Sequence, residues 1–272
     1  MRRVTLQPNP ALFVICLVIL SGCARTPWQK PVSEDRFKEV NALVQGLRDQ
    51  QENCPATLDA EVTVNWQNSV SKQAYNGYLQ LLQPDSVKLI VPNPLGQPIM
   101  LMAATGGNYQ LLDPLRKEHH RGKIKSLLLR YGLPLELALH SQWGAWLTGR
   151  MAGGELEIST VRSDRDGNGV WVSFDRQEKG LYYSSHLLID PKGPQLQRRV
   201  IESDREGIVA DINYEGGRND GSICQTDRLT ITSLPYNGRL DLSFGDQLTN
   251  KPLGKDDFSL SVPKGYLTKL RP

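Results

Sequence analysis

The sequence has no large excess of charge of either sign. Its 272 residues include 32 Lys and Arg against 29 Asp and Glu, a formal net charge of +3 at pH 7. Proteins that bind nucleic acid through bulk charge carry a strong basic excess, so we expect no nucleic acid among the partners. A hydrophobic content of 39% is enough for a real core.

The sequence also lacks the short motifs of common enzyme and metal sites. It contains no Gly-x-Ser-x-Gly, no phosphate-binding loop and no His-Glu-x-x-His. Its four histidines have no Cys or carboxylate at ligand spacing, so we expect no metal site and no cofactor. No pair of carboxylates stands out as a general acid and base. We therefore expect a protein that is not an enzyme.

One segment imitates a calcium loop. Asp164, Asp166 and Asn168 place oxygens at the first, third and fifth positions of such a loop, and Asp175 stands at its last position. No amphipathic helices flank the segment, however, and its Asp-Gly-Asn-Gly run is also what a hairpin turn requires. We interpret the segment as a turn.

No apolar run is long enough to span a bilayer. The run at 11–20 follows Arg2 and Arg3 and has the length and position of a signal peptide. It ends in Leu-Ser-Gly-Cys, which resembles the bacterial lipobox, where the signal is removed before a Cys that is then acylated. We predict a signal peptide at 1–22 and lipidation of Cys23; a plain signal peptide that is cut elsewhere is the alternative.

The residue after Cys23 indicates in which membrane the protein is anchored. Ala24 stands where an Asp would resemble the inner-membrane retention signal of enteric bacteria. We therefore expect the protein on the periplasmic face of the outer membrane, with residues 23–32 as a lipidated tether. Removal of residues 1–22 leaves 30 basic against 29 acidic residues, so the expected mature charge is +1.

The few cysteines agree with this address. Of the four, Cys16 leaves with the signal and Cys23 takes lipid, which leaves Cys54 and Cys224. Two thiols in an oxidising compartment predict one disulfide. In the chain-entropy model, closing so long a loop contributes up to roughly 5 kcal/mol. The predicted disulfide joins early and late parts of the chain, which favours one domain over two.

Hydrophobic periodicity predicts one helix followed by a long series of strands. Ser33 is a candidate N-cap, and apolar residues at helical spacing predict an amphipathic helix at 34–51. From residue 60 the period changes to two, and turn residues fill the gaps between the apolar runs. This pattern predicts about ten or eleven strands in a mainly β protein, an antiparallel sheet curled into an open or closed barrel.

The region 115–149 interrupts the two-residue period. It is strongly basic, and apolar residues at helical spacing begin at Ile124. A second helical piece is predicted from Pro134 to Leu147. Trp143 and Trp146 on this piece indicate a helical lid over one end of the barrel.

A short connector separates two apolar runs that are typical of strands. The runs Val87–Val91 and Ile99–Met102 flank a stretch with three prolines, which remove three backbone donors from any sheet ladder. Leu95 and Gly96 form the tip of this connector. Two interpretations are open: Leu95 folds back onto the barrel wall, or it contacts a membrane or a lipid.

Several of these features together resemble a known family. A lipobox, an N-terminal helix, Asn-Pro-Leu-Gly at 93–96 between two strands, and Trp-Leu-Thr-Gly at 146–149 after a helical insert are similar to the LolA/LolB superfamily. This family comprises outer-membrane lipoprotein receptors of the LolB type and soluble periplasmic carriers of the LolA type. The similarity is most specific across residues 87–149.

The resemblance implies an incomplete antiparallel β-barrel with a helical lid over a hydrophobic cavity, in a single domain at 33–272. Such a protein accepts the acyl chains of a lipoprotein from a soluble LolA-like carrier and releases the lipoprotein into the outer membrane. We expect a monomer. The expected membrane-insertion loop is Pro94, Leu95 and Gly96. The expected cavity and lid residues are Trp66, Leu79, Leu81, Leu89, Ile99, Leu101, Leu111, Trp143 and Trp146. The expected carrier-docking basic rim is Arg116, Lys117, Arg121, Lys123, Lys125 and Arg130.

Two other functions remain open at this point. The protein could be a carrier or binding module for another lipid or glycolipid, or an envelope assembly lipoprotein with a packed core and no ligand. A cavity lined by the apolar residues named above would favour either binding function over the assembly function.

Overall fold

The computed structural model describes residues 26–130, 133–178, 180–193, 195–216, 224, 226–249 and 252–271. The predicted signal peptide and Cys23 lie outside the described residues and stay predictions. Within the described ranges, no helix combines the length and the apolar character that a bilayer crossing requires.

The chain begins with a short strand and a long helix and continues through six strands and a helical insert. The strands and the first helix are β1 (Trp28–Pro31), α1 (Glu34–Glu52), β2 (Thr57–Gln67), β3 (Lys72–Leu82), β4 (Ser86–Pro92), β5 (Pro98–Thr105), β6 (Asn108–Asp113) and β7 (Glu118–Lys123). The insert consists of α2 (Ile124–Arg130), two 3-10 turns at Leu135–Ala138 and His140–Gln142, and α3 (Trp143–Thr148).

Eight further strands complete the chain. They are β8 (Thr160–Asp164), β9 (Val170–Glu178), β10 (Leu181–Asp190), β11 (Gln195–Ser203), β12 (Gly207–Glu215), β13 (Arg228–Leu234), β14 (Gly238–Thr249) and β15 (Leu267–Arg271). Single 3-10 turns stand at Pro235–Asn237 and Lys255–Phe258.

All fifteen strands of the described residues belong to one unclosed sheet. Their order is β1-β8-β9-β10-β11-β12-β13-β14-β2-β3-β4-β5-β6-β7-β15, so β1 and β15 are the two edges. Paired strands are antiparallel except β15, which runs parallel to β7. The predicted mainly β fold, an incomplete antiparallel barrel with few helices, is therefore confirmed. The sheet has more strands than the ten or eleven that the sequence predicts.

The sheet begins earlier in the chain than the sequence predicts. Residues 28–31, which the sequence analysis places in the tether, form β1 and pair with β8. Trp28 is buried, with its ring centroid 5.4 Å from that of Trp171 and 4.3 Å from that of His186. The aromatic contact anchors β1 on the sheet, so any flexible tether ends before Trp28.

The predicted N-terminal helix is confirmed almost to the residue. The Ser33 hydroxyl accepts a hydrogen bond from the backbone N of Arg36 at the N-terminus of α1. Val40, Val44 and Leu47 are buried along one side of the helix, because residues three and four apart share a face. They pack against a cluster of side chains from β8 to β11.

A second, larger core covers the inner face of the other strands. It joins side chains from β2, β3, β4, β10 and β12 to β14 with those of the helical insert. Cys54, just after α1, forms a disulfide with Cys224, and the Cα atoms lie 5.3 Å apart. The predicted pairing is confirmed, and it spans 170 residues of chain.

Candidate functional site

An apolar cavity lies between the inner face of the sheet and α3. Its volume is about 290 Å³. The strands β2 to β5, β13 and β14 form its wall, and the helical insert forms its cover. The lining consists of Val62, Val64, Leu79, Val87, Leu89, Met102, Leu137, Trp143, Trp146, Leu147, Ile231, Leu240 and Leu242. Every one of these side chains is apolar, so the cavity can hold a hydrocarbon group but offers no reacting group.

The wall follows from strand alternation and register. Leu79 of β3 stands opposite Leu89 of β4, and Leu89 stands opposite Met102 of β5. Val64 of β2 likewise pairs with Leu242 of β14. Because every second side chain points to the same face of a sheet, these pairs form a continuous apolar surface across several strands.

Two hydrogen bonds hold the start of α3. The indole Nε1 of Trp143 donates to the carbonyl of Leu137 at 2.9 Å, which joins α3 to the preceding 3-10 turn. The backbone N of Gly144 donates to the carbonyl of Pro84 at 3.0 Å, which joins α3 to the β3–β4 turn. The helix ends at Gly149, whose φ of 71° is the left-handed conformation that glycine adopts at little cost. A helix of six residues is thus held mainly by its ends and its two tryptophans.

Four of the predicted cavity residues line the cavity. These are Leu79, Leu89, Trp143 and Trp146. Leu81 and Leu111 belong to the same core but do not line the cavity, and Trp66 is half-buried at the end of β2.

Leu101 and Ile99 do not line the predicted cavity. Leu101 packs with Ala103, Leu112 and Leu260 on the opposite side of the sheet. Ile99 stands at an irregularity in the pairing of β4 with β5, between Pro98 and Met100. The run from Ile99 to Ala104 is apolar throughout, so its alternation does not reveal which residues face inward. The true lining residue of β5 is Met102.

The sequence analysis also missed lining residues on other strands. Val62, Val64 and Val87 occupy alternate positions of strands that it does predict, so the two-residue period contains a usable signal for them. Ile231, Leu240 and Leu242 come from β13 and β14. No sequence signal shows that these late strands lie beside β2, because that adjacency depends on the strand order.

The β4–β5 turn presents Leu95 to solvent. The Asn93 side-chain Oδ1 accepts hydrogen bonds from the backbone N of Leu95 at 2.9 Å and of Gln97 at 3.0 Å. Gly96 has a φ of 79°, which suits a tight turn. The Leu95 side chain is 83% exposed. The interpretation that it folds back onto the barrel wall is therefore wrong.

The predicted basic rim is spread over three elements. All six side chains are exposed, but Arg116 and Lys117 lie in the β6–β7 turn, Lys125 and Arg130 lie on α2, and Arg121 and Lys123 lie between them on β7. Arg121 and Lys123 line an open groove of about 710 Å³ on the outer side of β6 and β7.

Within that groove the buried imidazole of His119 adds a polar group. Its Nε2 has no hydrogen-bond partner among the described residues. Burial and the neighbouring Arg121 lower the pKa of His119, so the ring is neutral near pH 7. The segment 118–123 forms β7, although it lies in the basic region where the sequence predicts an interruption of the strands.

A buried polar network supports the chain beyond α3. Glu155 forms an ion pair with Arg199 of β11, and both side chains are fully buried. The Arg199 guanidinium also donates to the carbonyl of Arg150 at 2.6 Å. Burial lowers the pKa of Arg150 to about 10 and raises that of the nearby Tyr214 to about 12. The network ties the end of the cavity cover to the middle of the sheet.

The Asp164 carboxylate is used by the protein itself. Its Oδ2 accepts from the backbone N of Asp166 and of Asn168, and its Oδ1 accepts from the indole of Trp171 at 2.8 Å. The oxygen that a calcium loop needs at its first position thus holds the β8–β9 turn together. This agrees with our interpretation of the segment as a turn.

Comparison with known proteins supports the fold. The sequence matches no protein-family model and no curated protein. A LolA superfamily protein from Nitrosomonas europaea is similar with a TM-score of 0.46 and 10% identity, over 80% of this chain and 97% of that chain. A DUF1329 family protein from Desulfovibrio piger is similar with a TM-score of 0.52 and 10% identity, over 81% of this chain and 97% of that chain. This chain shares its overall fold with the Desulfovibrio protein.

Proposed function

We propose that this protein is a lipoprotein, anchored through Cys23 to the periplasmic face of the outer membrane, that receives other lipoproteins from a soluble LolA-like carrier. It binds their acyl chains in the cavity beneath α3 and passes them to the membrane. The observation that carries this proposal is the wholly apolar lining of that cavity. The signal-like start of the sequence supports the location at the outer membrane. The resemblance to the LolA/LolB superfamily supports a LolA-like carrier as the partner.

The chemistry of the lining suits storage rather than reaction. Each methylene that moves from water into an apolar site gains about 0.8 kcal/mol. Transfer between two such sites of similar affinity needs no energy source, because the gain is present on both sides. No titratable side chain lines the cavity, so we propose a binding protein and not an enzyme.

The volume of the cavity limits what can bind unless α3 moves. At about 290 Å³, it lies just below the range of about 300–1,000 Å³ that is usual for small-molecule sites. One hydrocarbon group fits between α3 and the wall, whereas a full set of acyl chains requires α3 to move away from the wall. Gln142 just before α3 and Arg150 just after it are bonded to Tyr183 and Arg199, so this movement is confined to the short helix between them.

The same small volume favours a second candidate. A single-chain amphiphile, such as a fatty acid, fits a cavity of this size more easily than the acyl chains of a lipoprotein do. In that case the protein is a carrier for free lipid, and the exposed Leu95 contacts the membrane from which the lipid comes.

Filling the cavity distinguishes these functions. Leu89→Trp adds volume inside the cavity, and Ile90→Trp adds the same volume to the next residue of β4, on the opposite face of the sheet. Each full-length variant is purified from the bacterial envelope, its folding is checked by circular dichroism, and the co-purified lipids and peptides are identified by mass spectrometry.

We expect acylated peptides with the unmodified protein and with Ile90→Trp, and few or none with Leu89→Trp. Free fatty acid in place of acylated peptides would support the second candidate. Empty protein in all three preparations would contradict both functions.

A further inference from the structure

The four most exposed large apolar side chains of the described residues all lie at hairpin tips. They are Val70 at 87%, Leu95 at 83%, Leu115 at 79% and Tyr236 at 69% exposed. Single apolar side chains are common on protein surfaces, but their confinement to turns between strands is not a general property of surfaces.

Strand register places all four tips at the same end of the strands, along a border of the sheet that crosses the strands and is distinct from the edge strands β1 and β15. Gln67 pairs with Lys72 at the end of the β2–β3 hairpin, and the same Gln67 pairs with Arg239 at the start of β14. Pro92 pairs with Pro98, and Asp113 pairs with Glu118. Since β3 to β6 are successive antiparallel neighbours, the β2–β3, β4–β5, β6–β7 and β13–β14 turns share this border. We call these four turns the tip edge.

The tips are close neighbours along that edge. Their strands are consecutive in the sheet, from β13 through β14 and β2 to β7. Adjacent strands lie about 4.8 Å apart, so successive hairpins are separated by about 10 Å in the direction perpendicular to the strands. The backbone N of Ser69 donates to the carbonyl of Tyr236 at 3.1 Å, which joins the β2–β3 turn directly to the β13–β14 turn.

In three of the turns, the side chain of an Asn or Asp stabilises the backbone around the apolar residue. Asn68, Asn93 and Asp113 each stand two positions before Val70, Leu95 and Leu115 respectively. Each side-chain oxygen accepts hydrogen bonds from backbone N atoms of its own turn. Such bonds stabilise a turn from within. The apolar residues are therefore held outward by the turns themselves.

The fourth tip is held outward in a different way. Tyr236 has a φ of 59° and Asn237 a φ of 53°, a left-handed conformation that costs free energy in residues other than glycine. A Tyr at such a tip presents an apolar ring with a polar end, which suits the boundary between lipid headgroups and acyl chains.

The charges at the tip edge favour an anionic surface. The turns and the strand ends beside them carry the cations Lys72, Arg116, Lys117 and Arg239 against the carboxylates of Asp113, Glu118 and Asp241. Arg239 forms an ion pair with Asp241 at 2.7 Å, so Lys72 and Lys117 are the cations that stand outside the ion pairs of the described residues. Glu118 forms an ion pair with Lys269 at 2.5 Å, and Asp113 lies 3.7 Å from Arg116. Scattered apolar points beside cations suit a bilayer, because a headgroup layer accepts separate insertions whereas a protein partner requires a continuous matching surface.

We infer that the tip edge is a membrane-docking surface, which inserts Val70, Leu95, Leu115 and Tyr236 together into the headgroup region of an anionic bilayer. Four points fix the orientation of the sheet on the membrane, which one insertion loop cannot do. The inference extends the role proposed for Leu95 and rests on the proposed function only in naming a membrane as the partner.

Depth measurements on the membrane-anchored protein test this inference. Val70→Cys, Leu95→Cys, Leu115→Cys and Tyr236→Cys each introduce a thiol for an environment-sensitive fluorophore. The full-length variants are reconstituted into vesicles that contain an anionic phospholipid and a quencher on the lipid acyl chain. Tyr78→Cys is the matched control, because Tyr78 is exposed midway along β3 in the same hairpin as Val70. The protein without an introduced Cys gives the background labelling.

We expect several-fold stronger quenching at all four tips than at Tyr78→Cys, and weaker quenching at the tips in vesicles without anionic lipid. Quenching confined to Leu95→Cys would overturn the four-point surface and leave the proposed function intact. Equal quenching at tips and control would also overturn the inference. Acyl-chain binding by the same variants, measured by mass spectrometry, shows separately whether the proposed function fails.

Discussion

The two halves of the sheet are covered in different ways. On β8 to β11, the 19-residue helix α1 fills the concave face with side chains that are fully buried. On β2 to β5 and β13 to β14, the six-residue helix α3 and two 3-10 turns cover the face, and a cavity of about 290 Å³ remains. The comparison shows that the long helix fills the sheet face it covers, whereas the short helix and its two turns leave a cavity.

The link between the two halves should be the most sensitive point. Glu155→Ala leaves the fully buried Arg199 without its carboxylate, and an uncompensated buried charge costs about 3–5 kcal/mol. Urea denaturation measures the change in the free energy of unfolding. Arg36→Ala removes an exposed ion pair within α1 and serves as the control, with an expected loss of less than about 0.5 kcal/mol. Similar losses in both variants would mean that the buried pair does not hold the halves together.

Matched truncations compare the filled half of the sheet, which α1 covers, with the half that α3 covers and that contains the cavity. Leu47→Ala in α1 empties a closely packed site and should cost about 2–5 kcal/mol of unfolding free energy. Leu89→Ala only enlarges an existing cavity, and Leu89 is already partly exposed, so its cost should be near the lower limit of about 2 kcal/mol. Thermal and urea unfolding of both variants test the difference. A larger loss for Leu89→Ala would show that the cavity is closed and packed in solution.

Acid should weaken the half of the sheet that α1 covers, through the buried His186. Burial lowers the pKa of His186 of β10, against the opposing attraction of Glu202, so the folded protein resists protonation there. The unfolded chain takes up that proton near pH 6.5. Stability from this group is therefore complete above that pH and is lost as the pH falls below it. His186→Gln should flatten the dependence of unfolding free energy on pH in this window; an unchanged slope would exclude His186 as its source.

The smallest effect on stability should come from Leu95→Glu. The side chain is exposed at the tip edge and contributes little packing, so we expect a change within about 0.5 kcal/mol. We nevertheless expect lipoproteins to remain bound and not to reach the membrane, because anionic headgroups repel the new carboxylate and the acyl chains beneath them do not accept a charge. Release of acylated peptide to vesicles measures this effect. Normal release by Leu95→Glu would reduce the loop to an ordinary turn.

The sequence predicts the regular parts of both halves well. The N-cap at Ser33 and the helical spacing of Val40, Val44 and Leu47 identify α1, because cap and periodicity agree. The two remaining cysteines identify the disulfide. Alternation identifies β2, β3 and β4, since one face of each is buried and the other is more polar.

Alternation does not identify a strand that carries a charged residue on its buried face. It also does not show which face points inward when every residue of the strand is apolar. β11 carries Arg199 on its buried face, so the strand has no clean alternation that would identify it. β5 has the opposite problem, since its uninterrupted apolar run gives no inward face. The position of the cavity depends on the pairing of β2 with β14, a contact between distant parts of the chain that no short segment encodes.

The unclosed sheet has a consequence for self-association. An open sheet exposes unpaired backbone groups at both ends, and these are templates on which another chain can add strands. Here one outermost strand, β1, is only four residues long and ends in Pro31, which has no backbone donor. The other, β15, carries Lys269 and Arg271. A short edge and a charged edge discourage strand addition, and so the sheet can stay unclosed without becoming a site of aggregation.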